Sequence, residues 1–132
     1  MTALVLRLPL PPPLSACFKN ARGPGRVKTA RYRAWITEAM MAVRAELREP
    51  RCWPPFPIPV AVHADYQIGR PDKRRRDLDN MGKSLGDALT AAGILVDDSQ
   101  IIDLRLRWAA VEGVVVTIRP AREPASNPVW LT

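Results

Sequence analysis

The chain has 132 residues and a mass of 14.7 kDa, and this length favours one domain over two. Hydrophobic residues make up 47% of the sequence, which is enough for a core and excludes wholesale disorder. Lys and Arg number 20 against 13 Asp and Glu, so the net charge is +7. Such an excess is typical of proteins that bind a polyanion, most simply nucleic acid, although a basic surface can also serve solubility alone.

The cysteines and the first residues indicate an intracellular setting. Cys17 and Cys52 are far apart and lack CxxC spacing, which predicts reduced thiols rather than a disulfide. The first ten residues are apolar, but they contain Arg7 and run into prolines, so they predict a strand and not a signal peptide. No apolar stretch approaches the roughly 18 to 20 residues that span a bilayer. We therefore expect a soluble, cytoplasmic protein with no membrane partner and no nucleotide cofactor.

The first third of the chain predicts a strand, a basic loop and a helix. Leucines at every second position from Leu4 to Leu10 indicate a strand with one face on a core. Residues 14–28 contain four basic residues among glycines and prolines, which predicts a loop that becomes ordered only against a phosphate backbone. Thr29 is a suitable N-cap for a helix, since apolar residues recur at three- and four-residue spacing as far as Leu47. The aromatic residues of that face are expected in the core rather than stacked on bases.

The middle of the chain predicts a second strand and a second helix. Residues 50–59 are rich in proline and form a connector that is neither helix nor central strand. Alternation over residues 60–66 predicts a strand that carries His63, the only histidine, which we expect to be a bystander without a catalytic role. A helix is predicted from about residue 78 or 79 to Ala92, with Gly93 in the position that ends it.

Two further strands complete the predicted fold. Residues 102–108 alternate between apolar and charged, and with residues 114–118 they are expected to form a hairpin. The order β-α-β-α-β-β predicts an α/β (α+β) fold in which two helices pack on a small mixed sheet. Residues 1–120 are expected to be a single domain, and residues 121–132 an extended C-terminal tail.

Acidic residues cluster in the second half of this basic chain. Six of the eight aspartates fall within 27 residues, from Asp77 to Asp103. If the backbone is extended, Asp77 and Asp79 point the same way and can converge on one cation, and Asp98 can close the site from the side. Hard oxygen ligands suit Mg²⁺, with Mn²⁺ as a possible substitute, whereas one histidine and two distant cysteines do not make a zinc site. The pattern therefore predicts a magnesium site, with one or two ions.

Positive charge accompanies the acidic cluster. Lys83 follows Asp79 by one helical turn, which fits either an ordinary surface ion pair or an ammonium that stabilises a transition state. Four consecutive basic residues just upstream are expected to bind the phosphate backbone of DNA, although such a run alone can be a solvated loop. They are Lys73, Arg74, Arg75 and Arg76. Together with the aspartates, these are the parts that a metal-dependent phosphodiesterase needs.

The sequence of this region resembles that of the RusA family of Holliday junction resolvases, small endodeoxyribonucleases that prophages often carry. The resemblance is dense over about residues 70–107 and rests on Arg75-Arg76-Asp77-Leu78-Asp79-Asn80, Lys83, Asp87-Ala88-Leu89, Ala92-Gly93 and Asp97-Asp98-Ser99-Gln100-Ile101. It implies that three carboxylates bind magnesium, that one lysine is catalytic and that Arg76 contacts DNA. The three carboxylates are Asp77, Asp79 and Asp98, and the lysine is Lys83.

The resemblance also implies an activity and an assembly. The family members are homodimers that resolve four-way junctions by paired symmetric nicks, in DNA recombination and repair. A dimer with C2 symmetry supplies two active sites to a junction that itself has approximate two-fold symmetry. Two alternatives stay open: a non-catalytic DNA-binding or phage regulatory module that keeps the basic surface, and a metal-dependent RNase that uses the same residues.

Overall fold

The computed structural model describes residues 3–23, 25–47, 56–70 and 78–121. In these ranges the chain forms a four-stranded mixed sheet, a separate two-stranded hairpin and two α-helices. The strands are β1 (Leu4–Leu8), β2 (Phe18–Asn20), β3 (Arg26–Lys28), β4 (Val62–Gly69), β5 (Ile101–Ala109) and β6 (Val114–Pro120). The helices are α1 (Ala30–Glu46) and α2 (Met81–Ala91), and short 3₁₀ turns lie at Leu14–Ala16 and Asp98–Gln100. The predicted α/β (α+β) class, with two helices on a mixed sheet, is confirmed.

The order of strands in the large sheet is β1-β6-β4-β5. β4 is parallel to β5 and antiparallel to β6, and β6 is antiparallel to β1. The predicted hairpin between residues 102–108 and 114–118 is therefore wrong, because β5 and β6 lie on opposite sides of β4.

Gly69 explains how the chain passes from β5 to β6. β5 ends beside the end of β4, where Gly69 pairs with Ala109, and the connection then crosses the end of β4. A Cβ atom at Gly69 would lie only 2.1 Å from the carbonyl oxygen of Val111. The amide of Gly69 also donates a hydrogen bond to the carbonyl oxygen of Gly113, at 2.8 Å. Only glycine leaves room for this crossing, which places β6 on the far side of β4.

Both helices pack on one face of the sheet. The apolar face predicted for α1 is confirmed, since Tyr32, Trp35, Ala39 and Val43 are buried. Thr29 is its N-cap, because its hydroxyl accepts a hydrogen bond from the backbone amide of Tyr32 at 3.1 Å. The other face of the sheet carries polar side chains of β4, β5 and β6 and is uncovered by any described helix.

The prediction for residues 14–28 is wrong in its central point. These residues are ordered without a bound phosphate backbone, because β2 and β3 form an antiparallel hairpin in the chain alone. The second helix begins at Met81, a few residues later than predicted, after a turn closed by a hydrogen bond from the Met81 amide to the Leu78 carbonyl. Gly93, at φ +78°, follows its end as predicted.

Several predictions fall outside the described residues. They concern Cys52, most of the proline-rich connector, the basic run at residues 73–76, Asp77 and the C-terminal tail. Cys17 is a buried free thiol, as predicted. Among the described residues, no helix is long and apolar enough to cross a membrane.

Candidate active site

Two residues of the predicted site lie at the start of α2, and Gly86, which the sequence did not single out, lies further along the helix. Asp79, Lys83 and Gly86 follow one another at four- and three-residue spacing, and the backbone already winds helically at Asn80. Such spacing places successive positions along one side of a helix. The opposite side of α2 carries its buried apolar residues, among them Leu85 and Leu89. Asp79 and Lys83 are exposed, whereas Gly86 is buried, so this side of α2 runs from solvent at Asp79 to the packed interior at Gly86.

Lys83 is held by a partner that the sequence prediction did not select. Its Nζ lies 3.1 Å from Oδ1 of Asp87, one turn further along α2, whereas the surface pair considered from the sequence was with Asp79. The other oxygen of Asp87, Oδ2, accepts a hydrogen bond of 2.5 Å from the hydroxyl of Tyr32 on α1. Tyr32 is fully buried, and the Asp87 side chain is only 16% exposed. Both carboxylate oxygens are thus engaged, so that Asp87 holds Lys83 in a defined place.

The environment of Lys83 keeps its side chain charged. The hydrogen bond to Asp87, and then the negative charge of that carboxylate, raise the pKa of Lys83 above its usual range. Asp98 and Asp97 contribute to the same shift in pKa through their charges. Lys83 is therefore an ammonium at neutral pH, suited to stabilise negative charge and unsuited to act as a base.

Asp98 reaches α2 because residue 86 has no side chain. The position of a Cβ atom at Gly86 lies 3.2 Å from Cβ and 3.4 Å from Oδ2 of Asp98. Any side chain at position 86 would push against this carboxylate. Since the charge of Asp98 also acts on Lys83, the structure brings these two predicted site residues together beside α2.

The loop that carries Asp98 is fastened by Gln100, which the sequence prediction missed. The Gln100 side chain is fully buried, and its Nε2 donates to the carbonyl oxygens of Ile58 and Val60 at 2.7 and 2.9 Å. Its Oε1 accepts from the amides of Val96 and Asp97 at 2.7 and 3.1 Å. One side chain therefore satisfies four backbone groups and ties the loop to the chain that leads into β4.

Asp97 begins the 3₁₀ turn that contains Asp98. Its Oδ2 accepts hydrogen bonds from both the amide and the hydroxyl of Ser99, and these bonds lower the pKa of Asp97. Together with Gln100, three residues on, Asp97 forms a capping box. That D-x-x-Q spacing is the signal in the sequence that could have identified Gln100. Asp97 therefore shapes the turn, and Asp98 is left available.

A buried hydroxyl lies within electrostatic reach of Asp98. Tyr66 on β4 is fully buried, and its Oη has no hydrogen-bond partner among the residues that the structure describes. Burial raises the pKa of Tyr66 well above its usual range, and the charge of Asp98 raises it further. A buried polar atom without a partner is uncommon and is expected to bind water or a ligand. The presence of this hydroxyl near Asp98 fits a site in which Asp98 contacts a hydrated or charged group.

The carboxylates described here are of the type that hold a hard cation. Asp79 and Asp98 offer oxygen donors, which Mg²⁺ prefers. Within the described ranges, no three side chains of ligand type gather closely enough to hold a metal ion. Asp77, the third predicted ligand, lies outside those ranges, as do Lys73, Arg74, Arg75 and Arg76. The donor chemistry thus fits a divalent ion, and the full set of ligands remains a prediction.

His63 lies on the open face of the sheet, away from α2. Its Nδ1 is 3.1 Å from Oδ2 of Asp103, and the pair borders a shallow cavity of about 380 Å³ with Arg105 and Arg119. Asp79, Lys83 and Asp98 do not line this cavity. The carboxylate site and the histidine are therefore separate.

Comparison with known proteins places this chain in a family. The family model described as endodeoxyribonuclease RusA matches residues 9–119. The crossover junction endodeoxyribonuclease RusA of Escherichia coli K12 is 32% identical over 106 residues, covering 80% of this chain and 82% of that protein. The protein of the same name from Enterobacteria phage 82 is 31% identical with the same coverage, and that of Aquifex aeolicus is 29% identical over 118 residues. The chain belongs to the RusA endodeoxyribonuclease family.

Proposed function

We propose that this protein is a magnesium-dependent, structure-selective endonuclease that resolves Holliday junctions by paired symmetric nicks, in DNA recombination and repair. The observation that carries the proposal is the placement of Asp98 against Gly86, within electrostatic reach of the Lys83 ammonium. This carboxylate near a lysine ammonium occurs in a chain whose relatives are named crossover junction endodeoxyribonucleases.

Each site residue has a separate role in this proposal. Asp77, Asp79 and Asp98 would hold Mg²⁺, or Mn²⁺ in its place. The chemistry that a divalent ion supplies at such a site is charge neutralisation and polarisation of the phosphate. Lys83 donates hydrogen bonds from its ammonium to the scissile phosphate and stabilises the charge that develops on its oxygens. Asp87 and Tyr32 restrict where that ammonium can go, since they engage it through two successive contacts.

The partner is branched DNA, and the working unit is a homodimer in the cytoplasm. Lys73, Arg74, Arg75, Arg76 and Lys83 are proposed to contact the phosphate backbone. These contacts position the DNA without reading its sequence. Two protomers related by two-fold symmetry would place one site at each of two opposed strands of a four-way junction. No nucleotide cofactor is required by this chemistry.

The test is cleavage of a synthetic mobile four-way junction beside a linear duplex of the same sequence, with and without Mg²⁺. Wild type is compared with Asp79→Asn. The Asp79 side chain makes no hydrogen bond or ion pair among the described residues, so this variant is expected to fold normally, as a melting temperature will check. Paired symmetric nicks that need both Mg²⁺ and Asp79 support the proposal.

Two outcomes would replace it. Tight binding of the junction without cleavage under any divalent ion would identify a non-catalytic DNA-binding module. Faster cleavage of RNA than of the junction, with the same dependence on Asp79, would identify a metal-dependent RNase.

A further inference from the structure

The excess positive charge of this protein is confined to one end of the sequence. The first 37 residues contain seven basic residues and no acidic residue, and Glu38 is the first carboxylate along the chain. The remaining residues hold 13 basic and 13 acidic side chains, so their formal charge is zero. The net charge of +7 is therefore the charge of the N-terminal segment, and any polyanion partner should be sought there first.

Six of these basic residues gather on the hairpin and the first turn of α1. We call residues 18–33, which contain β2, β3 and this first turn, the basic arm. All six side chains are exposed, and none forms an ion pair with a carboxylate within the described part of the chain. They are Lys19, Arg22, Arg26, Lys28, Arg31 and Arg33. Uncompensated like charges at this density repel each other, and a polyanion would relieve that repulsion.

The basic arm is folded before any partner arrives. The two strands pair from Phe18 with Lys28 to Asn20 with Arg26. The Arg26 guanidinium lies 5.4 Å from the centre of the Phe18 ring, and the Lys28 ammonium lies 5.9 Å from the centre of the Tyr32 ring. Such cation–π contacts restrict charged side chains that would otherwise move freely. Binding would therefore need little further ordering of the arm.

The basic arm is also anchored beside the candidate active site. The Thr29 hydroxyl donates to the carbonyl oxygen of Ala16 at 2.7 Å, which closes the base of the hairpin. Tyr32, within the arm, donates to Asp87, and Asp87 holds Lys83. Only Asp87 thus lies between Tyr32 of the arm and the proposed catalytic lysine. A strand that binds along the arm will pass close to that lysine.

We infer that the basic arm is a preformed clamp for the phosphate backbone of the duplex that flanks the cut. This inference rests on the proposed function and assigns the arm a role in affinity that is separate from the carboxylates. Phosphate contacts of this kind are independent of base sequence, so the basic arm should bind each duplex branch of a junction equally well.

The test measures junction binding by a variant that has lost two charges of the arm. Lys19→Gln with Arg22→Gln is suitable because neither side chain joins a cation–π contact. The matched control, Arg105→Gln with Arg119→Gln, removes the same charge from the open face of the sheet. Both pairs are made in the Asp79→Asn background to suppress cleavage. Dissociation constants are measured between roughly 50 and 200 mM salt, a range over which the affinity contributed by phosphate contacts falls steeply.

At low salt, the arm variant is expected to bind the junction about ten-fold more weakly. The slope of log affinity against log salt concentration should be smaller by about 2, because each of the two lost phosphate contacts contributes about 0.9. The control should change the slope little. A charge-retaining variant, Lys19→Arg with Arg22→Lys, should bind as wild type does, and melting temperatures establish that all variants are folded.

Two results would overturn the inference while leaving the proposed function intact. One is junction cleavage by wild type together with unchanged binding by the arm variant. The other is an equal loss in the control, which would mean that total charge matters and the arm does not. Stronger binding of single-stranded RNA than of duplex DNA through the arm would also overturn it. Failure of the proposed function is distinct, because wild type itself would then not cut the junction under any divalent ion, whatever the arm contributes to binding.

Discussion

Gly86→Ala is predicted to make the protein more stable and less active. Position 86 is inside α2, where glycine destabilises a helix by roughly 0.5 to 1 kcal/mol relative to alanine. Replacing it should therefore raise the free energy of unfolding by up to that amount. For a chain of this size the melting temperature should rise by roughly 2 to 5 °C.

The loss of activity follows from the contact with Asp98. The new methyl group would lie 3.2 Å from the Asp98 Cβ, which is closer than ordinary van der Waals separation, and 3.4 Å from Oδ2, at its lower limit. Asp98 must give way by a few tenths of an ångström. Catalytic groups need placement within about 0.5 Å, and a 1 Å error can reduce a rate about 100-fold. Because Asp98 moves by only a few tenths of an ångström, the same relation between displacement and rate predicts a fall in kcat of roughly three- to ten-fold.

Gly82→Ala is the matched control for this experiment. A Cβ atom there would lie 3.5 Å from Leu104 Cδ2 and 3.7 Å from Leu106 Cδ1, both ordinary contacts on the side facing β5. It should stabilise α2 without moving Asp98. The assay is single-turnover junction cleavage beside thermal unfolding for wild type and both variants. Equal activity of Gly86→Ala and Gly82→Ala would refute the conclusion that Asp98 needs the space at Gly86.

Three further predictions concern the contacts around the site. Tyr32→Phe removes a buried hydrogen bond to a carboxylate and should lower the free energy of unfolding by roughly 1.5 to 3 kcal/mol, measured in urea; no change would mean that the bond contributes nothing. Gln100→Leu leaves four backbone groups without partners and should destabilise by at least about 3 kcal/mol by the same assay, whereas a milder loss would show that water replaces the amide. Asp87→Asn removes the main cause of the raised pKa of Lys83, so the alkaline loss of cleavage should move to lower pH; an unmoved profile would contradict an ammonium role for Lys83.

The sequence predicted which residues form helices and strands better than it predicted which strands pair with each other. Alternation identifies β5 and β6 as strands with one buried face, but alternation does not state which strand lies beside which. The pairing depends on a crossing at Gly69 that involves atoms distant in the chain. The hairpin of the basic arm was missed for a related reason, since its strands have only three residues each, too few for any period to be seen.

The candidate site shows the same division between local and tertiary information. Lys83 has an aspartate one turn before it and another one turn after it, and the sequence does not distinguish Asp79 from Asp87 as its partner. The choice depends on Tyr32, which approaches from α1 and fixes Asp87. Likewise, the sequence shows Gly86 only as a residue that destabilises a helix, and the structure adds the contact with Asp98 that explains it.

The position of β6 constrains the order in which the protein can be completed during synthesis. Within the described sheet, β1 hydrogen-bonds to β6 alone, joining Leu4 to Ile118. Of the described strands, β1 therefore has no strand to pair with until β6 emerges from the ribosome. Contacts so distant in sequence slow folding, and an apolar strand that waits unpaired is exposed to association with other chains. The nascent chain should consequently complete this sheet only once β6 has emerged.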